Sequence, residues 1–400
     1  MKDLTEARRT LNELDRELVE LLHRRLGAVA DIARIKEEGL SFLRDHERES
    51  ELLEHIEVLA RELDMDPFRV REIFREIIAM SLKAQEEALL HREQVERSTG
   101  AAMRASFQGT VGAYSHMAAR KYFAARSGEM EFIGTETFGE ALELAESGTT
   151  GYAVLPIENT TAGSINQVYD LLRGTELRIV GEEILQVRHC LAGLPGARVD
   201  AIRRVLSHPQ GLIQCASYLA SMRGVEQVAF IDTAAAAQEV TRLGDPTQAA
   251  ISSEEAAEVY GLEVLARNIA DQDENWTRFV IVSGIEIEID PRIPAKTSLV
   301  FTTRHHHGAL AECLNLLAEH GLNLSKLESR PVPRRPWEYL FYVDVEGTLH
   351  DDAAALGIAG LRRRCPYLRV LGTYPARTTA DGAVDRVHPS PASSQAGGLT

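Results

Sequence analysis

A chain of 400 residues, 44% apolar and 26% charged, is too long for one ordinary core and has the balance of a soluble globular protein with about two to four domains. A formal net charge of −16 excludes the basic footprint that nucleic acid requires, and no apolar run approaches the ~20 residues of a membrane span. The charged opening Met1-Lys2-Asp3 lacks an export-type apolar segment, so a cytoplasmic protein with no membrane partner is expected.

Residues 1–96 read as helical. Leu4, Leu11, Leu18 and Ile32 share one heptad row, and Leu14, Leu21, Ala28 and Ile35 the adjoining one, which makes a first helix of about 50 Å. Leu52, Leu53, Ile56, Leu59 and Leu63 supply a second helix, and Phe68, Ile73, Phe74, Ile77, Ile78, Leu82 and Leu89 a third, capped by Asp66 ahead of Pro67. One very long helix followed by two shorter ones suggests an intertwined homodimer. Arg25 falls on the first row, where an apolar residue is expected, and Arg8 and Lys36 flank the seam. A buried unpaired charge is costly, so Arg25 needs an anion, which a structural glutamate or a ligand could supply. Ser81 and Gln85 continue the apolar face of the third helix, while Asp45, Arg48 and Glu49 follow the turn at Gly39. Together these groups describe a pocket for a small polyanion.

Those eight positions resemble the active-site residues of the all-helical chorismate mutases over nearly all of residues 4–90. The resemblance implies a domain-swapped dimer in which Arg8 comes from the partner and Arg25 and Arg48 bind the two carboxylates of chorismate. It further implies that Lys36 and Gln85 face the breaking ether oxygen, that Glu49 holds the ring hydroxyl, and that Asp45 and Ser81 complete the pocket. That rearrangement needs no nucleophile, only conformer binding and charge stabilisation.

From 105 to 284 short β-rich runs such as Tyr152-Ala153-Val154-Leu155-Pro156-Ile157 and Phe279-Val280-Ile281-Val282 alternate with helical stretches, among them Phe138 to Glu146 and Gln210 to Met222. Ligands in such folds bind beyond strand ends, near helix starts. Four strand ends run into hydroxyl- or amide-rich helix starts: Gly109-Thr110-Val111-Gly112-Ala113-Tyr114-Ser115-His116, Glu158-Asn159-Thr160-Thr161, Ser207-His208-Pro209-Gln210 with Gln214, and Asp232-Thr233. Helix capping would explain each alone; four in one domain suggest a carboxylate-binding cleft.

Tyr114-Ser115, Pro156-Ile157-Glu158-Asn159, Ser207-His208-Pro209-Gln210 and Thr277-Arg278-Phe279 resemble, in order, the sequence blocks of prephenate dehydratases. The resemblance implies a two-lobed domain like the periplasmic binding proteins, with the active site between the lobes. Prephenate loses CO2 and its ring hydroxyl, and the enzyme assists departure of hydroxide with a proton or hydrogen-bond donor. By resemblance Thr277 takes that role, with Glu158 the alternative acid and Arg278 binding carboxylate. Asn159, Ser207 and Gln214 would orient the substrate, and Thr160 and Ser115 would help bind it. The family's usual Gly-Pro is Gly109-Thr110 here, so that loop should differ.

Cys190, Cys215, Cys313 and Cys365 form no CxxC pair, which argues against a disulfide framework or zinc site. His305-His306-His307 cannot converge on one ion from a strand, because consecutive side chains alternate faces. No metal or cofactor is expected.

Residues 297–376 read βαββαβ. Gly308-Ala309-Leu310 and Glu328-Ser329-Arg330-Pro331 resemble the ligand-binding segments of ACT domains. That implies an α+β regulatory domain that binds L-phenylalanine across a dimer and inhibits the enzyme; a purely dimerising role would fit as well. From 377 to 400 Ser, Pro, Gly and Ala predominate, as in a disordered tail.

The expected chain is therefore a multidomain bifunctional enzyme, converting chorismate to prephenate and prephenate to phenylpyruvate. Competing readings are a prephenate or arogenate dehydratase with an inactive helical module, and a non-catalytic amino-acid-binding protein. The latter would need no Thr-Arg-Phe block.

Overall fold

The computed structural model describes residues 4–36, 46–78, 80–81, 103–124, 129–222, 224–285, 289, 294–332, 335, 337–349 and 352–377. The tail expected to be disordered lies, from 378 on, outside the described residues. The chain divides into two compact units. One is the N-terminal helical module; the other joins the middle and C-terminal domains.

In the helical module α1 spans Leu4–Lys36 and α2 spans His46–Glu62, with a third helix, α3, over 67–78. The Asp66 carboxylate accepts from the Phe68 N–H at 3.0 Å, the cap expected ahead of Pro67. Leu53, Ile56 and Ala60 of α2 are buried. Leu11, Leu14, Leu18 and Leu21 of α1, by contrast, are each more than half exposed. The heptad stripe therefore forms as a helix without being covered within one chain.

The middle domain has two sheets. In the first, β1 (Arg104–Gln108) lies parallel to β2 (Glu131–Thr135) and β3 (Tyr152–Asn159), and the order is completed by β11 (Trp276–Ser283) and β5 (Arg178–Gln186). β11 returns antiparallel between β3 and β5, and the two-residue β4 (Gly163–Ser164) pairs with the end of β3. Helices α4 (Tyr114–Phe123), α5 (Phe138–Glu146) and α6 (Asn166–Gly174) cover this lobe.

The second sheet runs β10 (Glu263–Ala266), β6 (Cys190–Gly193), β9 (Gln248–Ser252), β7 (Arg204–Ser207), β8 (Glu226–Ala229). Its helices are α7 (Pro209–Gln214), α8 (Ala216–Ser221), α9 (Thr233–Leu243) and α10 (Glu254–Val259). The chain crosses between lobes twice, from β5 to β6 and from β10 to β11. The single helix expected from Gln210 to Met222 is broken at Cys215. There the Gln214 carbonyl accepts from Asp271 N at 2.7 Å and Ser217 N donates to the Asp271 carboxylate at 3.1 Å, so the returning crossover takes bonds that a continuous helix would use.

The lobes meet where α4 begins. Gly112 has φ +87°, and a Cβ there would come within 3.0 Å of Ala256 Cα in α10. Tyr260 Oη donates to Val111 O at 2.8 Å across the same seam.

The C-terminal domain forms in the order β12 (Ala295–Thr302), α11 (Ala309–Glu319), β13 (Leu324–Pro331), β14 (Tyr339–Glu346), α12 (Asp352–Arg364), β15 (Tyr367–Pro375), the βαββαβ pattern read from the sequence. Its sheet order is β13-β14-β12-β15, with α11 and α12 packed through Leu316, Leu317, Ile358 and Leu361. The other face of the sheet joins the first lobe: Leu340, Tyr342, Leu371 and Tyr374 share one core with Val168, Tyr169 and Leu172. Gly372 permits this close approach, because a Cβ there would lie 2.1 Å from Ile179 O of β5.

Candidate active sites

In the middle domain the end of β3 and the start of β11 bring together the polar side chains with the most constrained geometry. Thr277 and Asn159 are register partners, both buried. Asn159 Oδ1 accepts from the backbone N–H groups of Thr161 (3.0 Å) and Ala162 (2.8 Å), and from Thr161 Oγ1 (2.7 Å). Backbone donors fix which end of the amide is oxygen. Nδ2 must then point the other way, and it donates to Asn275 Oδ1 at 2.7 Å and to Thr277 Oγ1 at 2.9 Å. The Thr277 hydroxyl is therefore an acceptor within the protein, and its own hydrogen remains to be donated elsewhere.

Behind Asn159 the polar chain continues. Gln214 Nε2 donates to Thr161 Oγ1 at 2.5 Å, and Gln214 Oε1 meets His189 Nε2 at 2.9 Å. Burial pushes the His189 imidazole below its ordinary pKa, the Gln214 contact opposing this, so at neutral pH the ring is neutral and donates from Nε2. Tyr114 Oη donates to Arg188 O at 2.7 Å and lies 3.3 Å from His189 Nδ1. Both interlobe crossovers thus contribute: His189 and Gln214 tie the second lobe to the Asn159 turn, and Asn275 arrives with β11. Thr160 pins the same turn, its hydroxyl donating to Glu274 O at 3.2 Å and accepting from Trp276 N at 2.9 Å.

In the helical module Arg25 is half-buried and donates to Ser81 Oγ and, at 3.5 Å, to Ile77 O. Desolvation lowers its pKa. Ser81 is buried and donates in turn to Ile77 O at 2.7 Å. Among the described residues the guanidinium thus meets a hydroxyl and a carbonyl, neutral acceptors that solvate the charge without cancelling it.

Three family models match in chain order: chorismate mutase type II over residues 7–86, prephenate dehydratase over 105–286, and ACT domain over 297–355. The bifunctional chorismate mutase/prephenate dehydratase of Enterobacter agglomerans is 38% identical over 366 residues, covering 92% of this chain and 94% of that one. The chain belongs to the bifunctional chorismate mutase/prephenate dehydratase family. The enzyme of the same name from Escherichia coli K12 is 36% identical over 369 residues, 92% of this chain and 95% of its own. A crystal structure of prephenate dehydratase from Arthrobacter aurescens in complex with L-Phe superposes with a TM-score of 0.62 at 31% identity, over 70% of this chain and 94% of that one.

Of the residues expected in the dehydratase cleft, Asn159, Gln214 and Thr277 form one connected group. Arg278 does not join it. Side chains on β11 alternate, so Thr277 and Arg278 point to opposite faces of the sheet. Arg278 donates to Glu182 Oε2 (2.6 Å), Asp344 Oδ2 (2.6 Å) and Tyr374 Oη (2.8 Å), all away from Asn159. Glu158, its register partner, shares that face and pairs with Lys326 Nζ at 2.6 Å. Both Arg278, expected to bind carboxylate, and Glu158, the alternative acid, are thus oriented toward the C-terminal sheet and not toward Asn159 and Thr277.

Ser207 is fully buried and donates its hydroxyl to Ile251 O at 2.8 Å, joining β7 to β9. Ser115 is buried in the first turn of α4. In the loop opened by Gly109, Thr110 Oγ1 is buried with no partner among the described residues, as is Asp232 Oδ2 at the start of α9. Thr161, His189 and Asn275 were given no site role from the sequence. Thr161 and Asn275 adjoin motif residues, a usable signal, whereas His189 is brought in only by the crossing of the chain.

In the mutase module Arg25 and Ser81 are brought together, Arg8 is exposed on α1, and Glu49 is half-buried on α2. Asp45 and Gln85 lie outside the described residues, as do the side chains of Lys36 and Arg48. In the ACT domain Gly308 (φ +79°) opens α11, and Ala309 is buried behind it. Glu328, Ser329 and Arg330 lie on the edge strand β13, where Arg330 pairs with Asp170 at 2.7 Å. A surface groove lined by Arg304, His307, Gly308, Ala309, Trp337 and Tyr367 includes the Gly308-Ala309-Leu310 segment but not Glu328-Ser329-Arg330.

One consequence concerns Asn159. In Asn159→Asp the oxygen facing Thr277 cannot donate, so the threonine hydrogen turns toward the new carboxylate. The dehydratase kcat should fall by about 10²-fold, as measured by phenylpyruvate formation from prephenate. A kcat within twofold of the unaltered enzyme would show that the threonine hydrogen is not used.

Proposed function

We propose that this chain performs both steps in one polypeptide, rearranging chorismate to prephenate in the helical module and converting prephenate to phenylpyruvate between the two lobes of the middle domain. The observation that carries the second assignment is the fixed amide of Asn159, which makes the Thr277 hydroxyl an acceptor and leaves its hydrogen without an acceptor among the described residues. That hydrogen would be donated to the departing ring hydroxyl as the C–O and C–C bonds break, giving water, CO2 and the aromatic product. Asn159, donating to the same oxygen, would steady the threonine as its O–H bond weakens, with the proton replaced from solvent.

The position of Arg278 favours this chemistry. A carboxylate that leaves as CO2 loses its charge in the transition state, so a cation paired with it would hold the ground state more strongly. A neutral amide and hydroxyl cluster carries no such penalty.

The decisive assay supplies chorismate to the purified protein and follows its loss together with phenylpyruvate formation, with and without L-phenylalanine. Turnover of neither chorismate nor prephenate would refute the reading. Inhibition by L-phenylalanine is expected from the ACT domain, since the Arthrobacter aurescens relative was crystallised with that amino acid. The functional boundaries proposed are 1–96, 105–284 and 297–376.

A homodimer is proposed from α1, whose Leu11, Leu14, Leu18 and Leu21 stripe is exposed in the single chain. A stripe of this length is covered by a second copy in coiled-coil fashion. Leu18→Lys should therefore shift the sedimenting species toward the monomer and weaken the mutase step. An unaltered protein that sediments as a monomer would remove this part of the proposal. No described helix is long and apolar enough to cross a membrane, and a cytoplasmic location is proposed.

A further inference from the structure

The strand that carries Thr277 is held from behind by a buried ion cluster. Arg278, only 13% exposed, spends Nε on Glu182 of β5 and its two terminal nitrogens on Asp344 and Tyr374 of the C-terminal sheet. Asp344 also accepts from Ser298 Oγ at 2.5 Å, and Ser298 Oγ lies 2.6 Å from Tyr374 Oη. Lys296 Nζ reaches the other oxygen of Glu182 at 2.9 Å. Glu158 Oε2 lies 3.9 Å from Arg278 and is paired with Lys326, so three cations and three carboxylates balance, with Asp344, Lys296, Lys326, Ser298 and Tyr374 contributed by the C-terminal domain. Burial alone would lower the Arg278 pKa, but Tyr374, Asp344 and Glu182 hold it well above its ordinary value.

Such a cluster is a poor source of net stability, because desolvation offsets most of the attraction. What it provides is geometry: an arginine fork with three fixed acceptors leaves its backbone little freedom. The pairing of that backbone is irregular. The register of β11 against β3 shifts between Arg278 and Phe279, with Ile157 of β3 the extra residue, so a β3 bulge lies across from Arg278, one residue from Thr277. The second strand of the site is fastened in the same way: Glu158, adjacent to Asn159, pairs with Lys326 of β13.

We propose that Arg278 is a positioning residue for dehydration: anchored by Asp344 and Tyr374, it holds β11 in register against the β3 bulge and so aims the Thr277 hydroxyl, which makes the C-terminal domain a working part of the dehydratase site. This rests on the reading of Thr277 as the donor.

The test uses the full chain with Asp344→Asn, which keeps the shape but removes the charge, and Tyr374→Phe, which removes a single hydroxyl. Prephenate kcat and KM are measured separately, alongside thermal unfolding. Asp344→Asn should lower kcat by about 10- to 100-fold with KM changed less than about threefold, as expected for misplacement of a reacting group. Tyr374→Phe should move kcat in the same direction by a smaller factor, and it decides the matter if Asp344→Asn does not fold. Arg278→Lys, keeping the charge without the fork, should lower kcat as Asp344→Asn does.

An unchanged kcat in the folded variants would show the cluster to be a domain fastener and overturn the proposal. A raised KM with unchanged kcat would overturn it too, by returning Arg278 to substrate binding. Amide hydrogen exchange over β11 gives a readout independent of turnover: Thr277 and Phe279 should lose protection in Asp344→Asn. If the unaltered chain fails to turn over prephenate, the functional reading falls, and unchanged exchange protection would separately overturn the positioning claim.

Discussion

Thr277→Val should lower the dehydratase kcat by about 10²- to 10⁴-fold, the range for a positioned proton donor, with KM changed only a few-fold and the mutase step intact. The substitution removes one hydroxyl and keeps the side chain's shape. Asn159 Nδ2 is not orphaned by it, because Asn275 Oδ1 at 2.7 Å and Trp276 O at 3.2 Å still accept. The folded state should therefore lose no more than about 1 kcal/mol, the net worth of an ordinary hydrogen bond. Prephenate should accumulate when chorismate is supplied, because the rearrangement uses none of these residues. A kcat within tenfold of the unaltered enzyme would remove Thr277 as the donor. Thr277→Ser discriminates further: it keeps the hydroxyl and should retain most of the activity.

The same strand shows where reading from sequence stops. Thr277-Arg278-Phe279 marked the site, but nothing in the pattern told which of two neighbours faces the ligand. Phe279, Val280, Ile281 and Val282 are buried on both faces of the sheet, so polarity does not alternate along β11 to label a solvent side. The face that takes Arg278 is covered by a domain about 65 residues further along, and its acceptors Asp344 and Tyr374 are reached only after that sheet has docked. Asn159 and Gln214 were drawn in only by the family resemblance, since capping explains amides near strand ends and helix starts equally well. His189 was not, since its neighbours Tyr114 and Gln214 lie 75 and 25 residues away. The helical module was the more legible part. Its periodicity predicts α1 to within a residue or two of Leu4–Lys36, because a long amphipathic helix needs no distant partner to fix its phase. The expected continuous helix from Gln210 failed for the opposite reason, the crossover at Asp271 diverting the bonds that would have closed it.

Arg25→Met should reduce mutase kcat/KM by about 10²- to 10⁴-fold, the consequence of withdrawing the protein's partner from an ion pair with a substrate carboxylate worth roughly 3–5 kcal/mol, and should leave prephenate turnover unchanged. The effect on stability should have the opposite character. In the free protein Arg25 is half-buried among neutral acceptors, and desolvation lowers its pKa, so the charge is held at a cost. Methionine keeps the length of the stem, removes that cost and extends the apolar row of Leu11 and Leu18. Ser81 retains its bond to Ile77 O. The melting temperature should hold or rise while the activity falls. A structural arginine predicts the reverse, since removing one would strand its carboxylate and lower the melting temperature along with any loss of rate. Measuring both quantities on one preparation therefore separates a residue kept for a ligand from one kept for the fold, and a fall in melting temperature of more than a few degrees would identify Arg25 as the latter.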